Sequence, residues 1–183
     1  FTKGFEICRF ASAGVKSRTS MKTLYLLRHA KSSWDDPSQT DFERPLNQRG
    51  IKAAPFMGNL MAQKGFTPSV IICSPAMRAK TTARLVKDAG GFSEEIVFEK
   101  SIYEASPNNL REIVSKLSED HGSALLVGHN PGIEGFIRYL TGLLEPMPTA
   151  ALAVIELENE RWEEVNDNCG KLLAVYRPKE LTS

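Results

Sequence analysis

The sequence predicts an α/β fold, a three-layer sandwich whose mainly parallel central sheet is flanked by helices and closes with antiparallel C-terminal strands. Three observations carry this. Residues 24–27, 70–73 and 124–127 are short, continuous apolar runs, the composition of strands buried on both faces. Segments with helical spacing of apolar residues separate these runs, which makes the connections right-handed crossovers in a mainly parallel sheet. After residue 145 the helical signal gives way to short strand-like segments divided by turn residues.

The first run, Leu24-Tyr25-Leu26-Leu27, stops at Arg28-His29 and turns polar at Lys31-Ser32-Ser33. A strand ending this way delivers a cation and an imidazole to the carboxyl edge of the sheet, where open α/β sheets bind ligands. Residues 32–44, with Asp35-Asp36-Pro37 and Asp41, read as a loop over that edge. Asn47 is a candidate N-cap for a helix at about 47–64, because Ile51, Ala54, Met57, Gly58 and Met61 recur at helical spacing. Pro55 is expected to kink or restart that helix, and Lys64-Gly65 to end it.

Residues 70–73 give the second strand, broken at Ser74-Pro75. A helix carrying Arg78, Lys80 and Arg84 follows over 76–89 and stops at Gly90-Gly91. Residues 96–98 form a third short strand, and 108–117 a helix with Leu110, Val114 and Leu117 on one face. The fourth strand, 124–127, stops at Gly128-His129-Asn130-Pro131, and a helix over 133–140 comes next. Beyond the Pro-rich linker 145–148, segments 151–157, 161–165 and 171–177 read as a closing hairpin or meander.

At 183 residues the chain has room for one sizeable core. Lys plus Arg total 23 against 22 Asp plus Glu, and a net charge of +1 argues against a bulk nucleic-acid partner. No apolar run approaches the roughly 18 residues a membrane-spanning helix needs, so no membrane partner is expected either. Cys8, Cys73 and Cys169 are odd in number and far apart, which disfavours a disulfide framework and points to a reducing compartment. Residues 1–20 carry Lys3, Arg9, Lys16 and Arg18 against Glu6 alone, a basic, acid-poor leader. Two readings stay open: a transit peptide, implying plastid or mitochondrion, or a disordered or added leader on an intracellular, cytoplasmic protein. In both, the folded domain is expected over 21–183.

Three strands or the turns after them end in chemistry: Arg28-His29, Ser74-Pro75 leading to Arg78, and His129. In a parallel sheet these ends converge, so two histidines and two arginines can meet at one point. Such a cluster suits phosphoryl transfer. A neutral imidazole nitrogen can attack phosphorus and form a covalent phosphohistidine. Guanidinium forks match phosphoryl oxygens, and a second imidazole, when protonated, adds donors where charge develops. Each residue also has a structural alternative: a satisfied histidine, an Arg28 paired with a helix end, a solvated Arg78. Metal binding is disfavoured, since the histidines lack ligand spacing and no Cys pair accompanies them.

These residues resemble a known family. Leu27-Arg28-His29-Ala30 resembles the Arg-His-Gly/Ala signature of the histidine phosphatase (phosphoglycerate-mutase-like) superfamily. Arg44-Pro45-Leu46-Asn47-Gln48-Arg49-Gly50 is similar to its Pro-Leu-Thr-x-x-Gly element, with Asn47 in place of Thr. Ser74-Pro75-Ala76-Met77-Arg78-Ala79-Lys80-Thr81-Thr82-Ala83 matches its Ser-Pro-x-x-Arg-Ala-x-x-Thr-Ala element, and Val127-Gly128-His129-Asn130-Pro131 its second-histidine motif. The short chain, Lys31-Ser32 and Gly-His-Asn-Pro look most like the SixA branch of phosphohistidine phosphatases.

The resemblance implies a phosphoglycerate-mutase-like fold and a metal-independent phosphatase without cofactor. It implies His29 as nucleophile, with Arg28, Arg78 and His129 binding the phosphoryl group. For the general acid, Glu104 after the third strand is the best candidate, a surface carboxylate being its alternative. Arg44 is a further candidate phosphate contact; a loop salt bridge with Asp41 or Glu43 is the plainer reading. The expected substrate is a phosphorylated protein (phosphohistidine) or a small phosphorylated metabolite, and the expected state a monomer. Two alternatives remain, a non-catalytic phosphate-binding module and a phosphoglycerate-mutase-type enzyme. The second is disfavoured because the chain has no room for insertions that would hold and reorient a bisphosphate.

Overall fold

In the computed structural model of the protein, residues 21–181 are described. The expectations for residues 1–20, the free Cys8 included, lie outside the described residues. The strands are β1 (Lys22–Arg28), β2 (Ile71–Cys73), β3 (Ile96–Phe98), β4 (Ser123–Gly128), β5 (Leu152–Leu157) and β6 (Gly170–Tyr176). The helices are α1 (Gln48–Gln63), α2 (Met77–Gly90), α3 (Pro107–Ser115), α4 (Gly132–Thr141) and the short α5 (Pro178–Leu181).

The six strands form one sheet in the order β3-β2-β4-β1-β5-β6. Pairings β1–β4, β4–β2 and β2–β3 are parallel, while β1–β5 and β5–β6 are antiparallel. Side chains alternate across the pleat, so β1 fills both faces at once. Leu24 and Leu26 join Ile72, Leu126, Phe136 and Trp162 in one buried core, under α3 and α4. Tyr25 and Leu27 join Ile71, Cys73, Val127, Met57, Met61 and Val86 in the other, under α1 and α2. The three layers follow from these two cores, and they explain why the strands read as unbroken apolar runs. No helix among the described residues is long and apolar enough to cross a membrane.

Local signals set most boundaries. Asn47 caps α1 by accepting from the Gly50 N–H at 3.0 Å. Gly91, in the left-handed conformation at φ 66°, ends α2. Two expectations are corrected. Pro55 does not restart α1, which runs unbroken through it; one lost N–H is offset by packing, since α1 meets α2 so closely that a Cβ at Gly58 would stand 2.3 Å from the Val86 carbonyl. Residues 161–165 are not a strand: Trp162–Glu164 is a single 3₁₀ turn. Trp162 is fully buried there, and its indole N–H donates to the His121 carbonyl at 2.8 Å. Anchoring that ring between strands, rather than pairing backbone, is what the segment does.

Candidate active site

Register brings the two histidines together. Arg28 pairs with Gly128 in the neighbouring parallel strands β1 and β4. The next residue of each is a histidine, and the imidazole centroids lie 5.0 Å apart. The His29 N–H donates to the Gly128 carbonyl at 3.0 Å, which locks the junction. His29 Nδ1 sits 2.7 Å from the Ala30 carbonyl oxygen. A carbonyl only accepts, so Nδ1 carries the proton and Nε2 keeps its lone pair.

Both rings are held neutral. Burial pushes His29 down to about 4; the Ala30 carbonyl pulls the other way, and the cations of Arg78, Arg28 and Arg44 lower it further. Burial likewise pushes His129 down to about 3, helped by His29 and Arg78 and opposed by Asp41. His129 Nε2 lies 2.8 Å from the Ser74 hydroxyl at the end of β2.

The arginines arrive from different elements. Arg28, at the end of β1, donates through Nη1 to the Met147 carbonyl at 2.8 Å. Its Nε and the Nδ1 of His129 are buried and have no hydrogen-bond partner among the described residues. Arg78, in the first turn of α2, is 7% exposed and turned toward the histidines. It holds Asp41, donating to that residue's backbone carbonyl and, at 2.8 Å, to its carboxylate.

Asp41 is the residue that sequence reasoning missed; it entered only as part of a loop and as a possible partner of Arg44. Its carboxylate accepts from Arg78, from Arg44 at 2.7 Å and from the Tyr103 hydroxyl at 2.9 Å. Partial burial pushes this carboxyl up, but the Tyr103 hydroxyl and the two guanidiniums outweigh it, and the group stays below its usual range. Tyr103 also meets His129 edge-on at 5.5 Å. Ser74 and Thr82 stood in the quoted motif without a role. Thr82, fully buried on α2, accepts from the Ala30 N–H at 3.0 Å and donates to the Arg78 carbonyl at 2.7 Å.

For Arg44 the structure contains the loop salt bridge. Besides Asp41 it bonds the Ser33 carbonyl and the Ser32 hydroxyl, and its guanidinium lies 3.2 Å from the ring centre of Trp34. Glu104 is exposed, and with Arg78, Asp41 and His129 it lines a cavity of about 720 Å³. Its backbone adopts φ 54°, a left-handed conformation uncommon for a side chain of this kind. No group of three or more His, Cys, Asp or Glu among the described residues is arranged to hold a metal ion.

Comparison with known proteins agrees with this geometry. The family model of the histidine phosphatase superfamily (branch 1) matches residues 24–111, which include β1, α1 and α2. An uncharacterized, chloroplastic protein of Arabidopsis thaliana is 32% identical over 161 residues, covering 83% of this chain and 74% of its own. The crystal structure of the Agrobacterium tumefaciens protein assigned as a phosphohistidine phosphatase, SixA, superposes with a TM-score of 0.75 at 28% identity, covering 86% of this chain and 98% of its own. The protein histidine phosphatase SixA complexed with tungstate shares the fold, with a TM-score of 0.77 at 20% identity over 87% of this chain and 99% of its own. Matched in its first strands and helices by the family model and along most of its length by these relatives, the chain belongs to the histidine phosphatase superfamily.

Proposed function

We propose that this protein is a phosphatase of the SixA type, which removes a phosphoryl group from protein phosphohistidine through a covalent intermediate on His29 and needs no metal. The observation that carries the reading is the tautomer of His29. With Nδ1 tied to the Ala30 carbonyl, Nε2 is bare and neutral, and two buried nitrogens of the same cluster, Arg28 Nε and His129 Nδ1, lack hydrogen-bond partners among the described residues.

The chemistry balances in two displacements. The Nε2 lone pair attacks phosphorus while the bond from phosphorus to the leaving nitrogen breaks; that nitrogen leaves with the electron pair and takes a proton. Water then adds to phosphorus, the P–Nε2 bond returns its pair to the imidazole, and the water proton leaves with phosphate. Arg28 and Arg78 match the equatorial oxygens with fixed charge, and His129 adds a donor in a buried setting where such contacts are strong. A phosphoramidate leaves with little help, so an exposed Glu104 at the cavity rim suffices as proton source. The name of the structural relative from Agrobacterium tumefaciens supports the substrate class. The basic residues 1–20, with the word chloroplastic in the name of the plant relative, support an organellar destination.

The test is direct. The full chain is incubated with a chromogenic aryl phosphate and with a phosphohistidine protein, quenched in base, and searched by mass spectrometry for phosphate on His29. Turnover with an acid-labile adduct that His29→Ala abolishes is the expected result. Absence of both turnover and adduct between about pH 5 and 8, the range in which a neutral imidazole is available, leaves a phosphate-binding module instead.

A further inference from the structure

Beside the histidine pocket lies a groove of about 550 Å³ that the proposed chemistry does not use. Its lining includes Lys31, Arg49, Lys52, Phe56, Thr149 and Arg177. We infer that this groove docks an acidic segment of the polypeptide substrate, held by Lys31, Arg49 and Lys52 while the phosphoryl group enters the histidine pocket. The inference rests on the phosphoprotein reading above and assigns that substrate a second contact.

Three observations carry it. First, cations outnumber the single carboxylate of the lining, Glu180, which is itself paired with Arg177. Lys31, Arg49 and Lys52 are exposed, and among the described residues none of them is in an ion pair, whereas Arg177 at the far wall is engaged by Glu145 and Glu180. Cations left unpaired on one wall of a groove raise the local concentration of an anionic partner.

Second, the groove is joined to the catalytic strand. Lys31 is two residues past His29, and its carbonyl accepts from the Asn47 N–H at 3.0 Å. A Cβ at Gly50 would stand 2.3 Å from that same carbonyl, so the first turn of α1, carrying Arg49 and Lys52, is packed against the strand end. The opposite wall, Pro148 and Thr149, lies between Met147, which accepts from Arg28, and Ala150, whose N–H donates to the His29 carbonyl at 3.1 Å. Both sides of the groove are therefore hydrogen-bonded to the segment that carries Arg28 and His29.

Third, the shape selects the occupant. The lining also includes the apolar Ala53, Phe56 and Pro148, and a groove of this mixed character fits an extended peptide with apolar and acidic side chains better than a flat lipid surface. The chain's own leader, with Lys3, Arg9, Lys16 and Arg18, carries the wrong charge for it.

The experiment uses synthetic peptides bearing a non-hydrolysable phosphohistidine analogue, one flanked by Asp and Glu and its twin by Gln and Ser, with affinities measured by fluorescence anisotropy. For the wild-type chain the acidic peptide binds about tenfold tighter, the sum of three exposed ion pairs of modest strength, and the difference closes in high salt. In the Lys31→Gln/Arg49→Gln/Lys52→Gln variant the preference disappears, while the neutral peptide's affinity and aryl phosphate kcat/KM stay at wild-type values. Equal affinity of the wild-type chain for both peptides, or an acidic preference that survives in the triple variant, overturns the inference. So does binding of phosphatidylserine vesicles with no preference between peptides, which makes the face a lipid contact. Failure of the phosphatase reading registers separately, as no aryl phosphate turnover. An acidic peptide without the phosphoryl analogue then tests the groove by itself.

Discussion

The Asp41 carboxylate lies 2.8 Å from a terminal nitrogen of Arg78, so the guanidinium proposed to hold the substrate's phosphoryl group is engaged by a carboxylate of its own chain. Asp41 is half exposed, with 48% of its side chain accessible, and sits on a loop, so it can be displaced where a buried partner could not. An incoming phosphoryl dianion competes with it for Arg78. Asp41→Asn is expected to lower the inhibition constant of inorganic phosphate by about three- to tenfold, the range of one or two exposed ion pairs. Competitive inhibition of aryl phosphate turnover measures it. An unchanged constant means that the anion does not bind where Asp41 now does.

Arg78 itself carries a larger effect. It is buried at the helix start, and in the proposed mechanism its cation meets the charge that develops during transfer. Arg78→Ala is expected to lower kcat/KM by ~2–4 kcal/mol of transition-state stabilisation, comparable to removing an oxyanion-type donor. The loss should lie mainly in kcat. The same variant leaves the Asp41 carboxylate with Arg44 and Tyr103 as partners, so circular dichroism must show a native fold before the kinetics are read. Unaltered kcat/KM removes Arg78 from the phosphoryl pocket.

The strand ends were legible in the sequence for a definite reason. Leu24 to Leu27 and Ala124 to Val127 are apolar on both faces because helices cover both, and parallel pairing then puts their terminal residues side by side. The Asp41–Arg78 contact was not legible, because it joins residues 37 apart through a polar loop without periodicity. Residues 161–165 misread for the opposite reason: Trp162 and Val165 have strand-like composition, but both are consumed by a buried anchor whose partners, Glu119 and His121, lie on another connection. Local pattern reports burial well and reports partners poorly.

The pH dependence follows from the depressed imidazoles. His29 falls from 6.5 to about 4 in the fold, so between those values the unfolded chain binds the proton and the folded one does not. Stability is therefore fully present above 6.5, declines as pH falls toward about 4, and stops declining from this source below it. His129, at about 3, extends the same slope lower. The expected result is a melting temperature that drops across this window, with the slope flattened in a His29→Gln/His129→Gln variant. Nitrogen-15 NMR of the free protein should show His29 titrating near 4 rather than 6.5, so that loss of the proposed nucleophile's lone pair limits activity only in distinctly acidic solution. A His29 titration at its ordinary value contradicts the buried, arginine-flanked setting.

Thr82 offers the sharpest test of positioning, because it touches the proposed nucleophile only through the backbone of Ala30. The Ala30 N–H donates to the Thr82 hydroxyl at 3.0 Å, and the Ala30 carbonyl accepts from His29 Nδ1 at 2.7 Å. Thr82 thus ties α2, which carries Arg78, to the backbone N–H of the residue whose carbonyl orients the imidazole. Thr82→Val keeps the side-chain shape and strips the hydroxyl. It strands the fully buried Ala30 N–H, which should cost about 1–3 kcal/mol in denaturant unfolding. The same change loosens the Ala30 backbone that carries the orienting carbonyl, and small displacements of a reacting group cost up to about 100-fold in rate. We therefore expect kcat to fall with KM nearly unchanged, and Thr82→Ser, which restores both hydrogen bonds, to recover most of the stability and the rate together. If Thr82→Val is as stable and as active as wild type, the Ala30 backbone is held without the Thr82 hydroxyl, and the orientation of His29 needs another explanation.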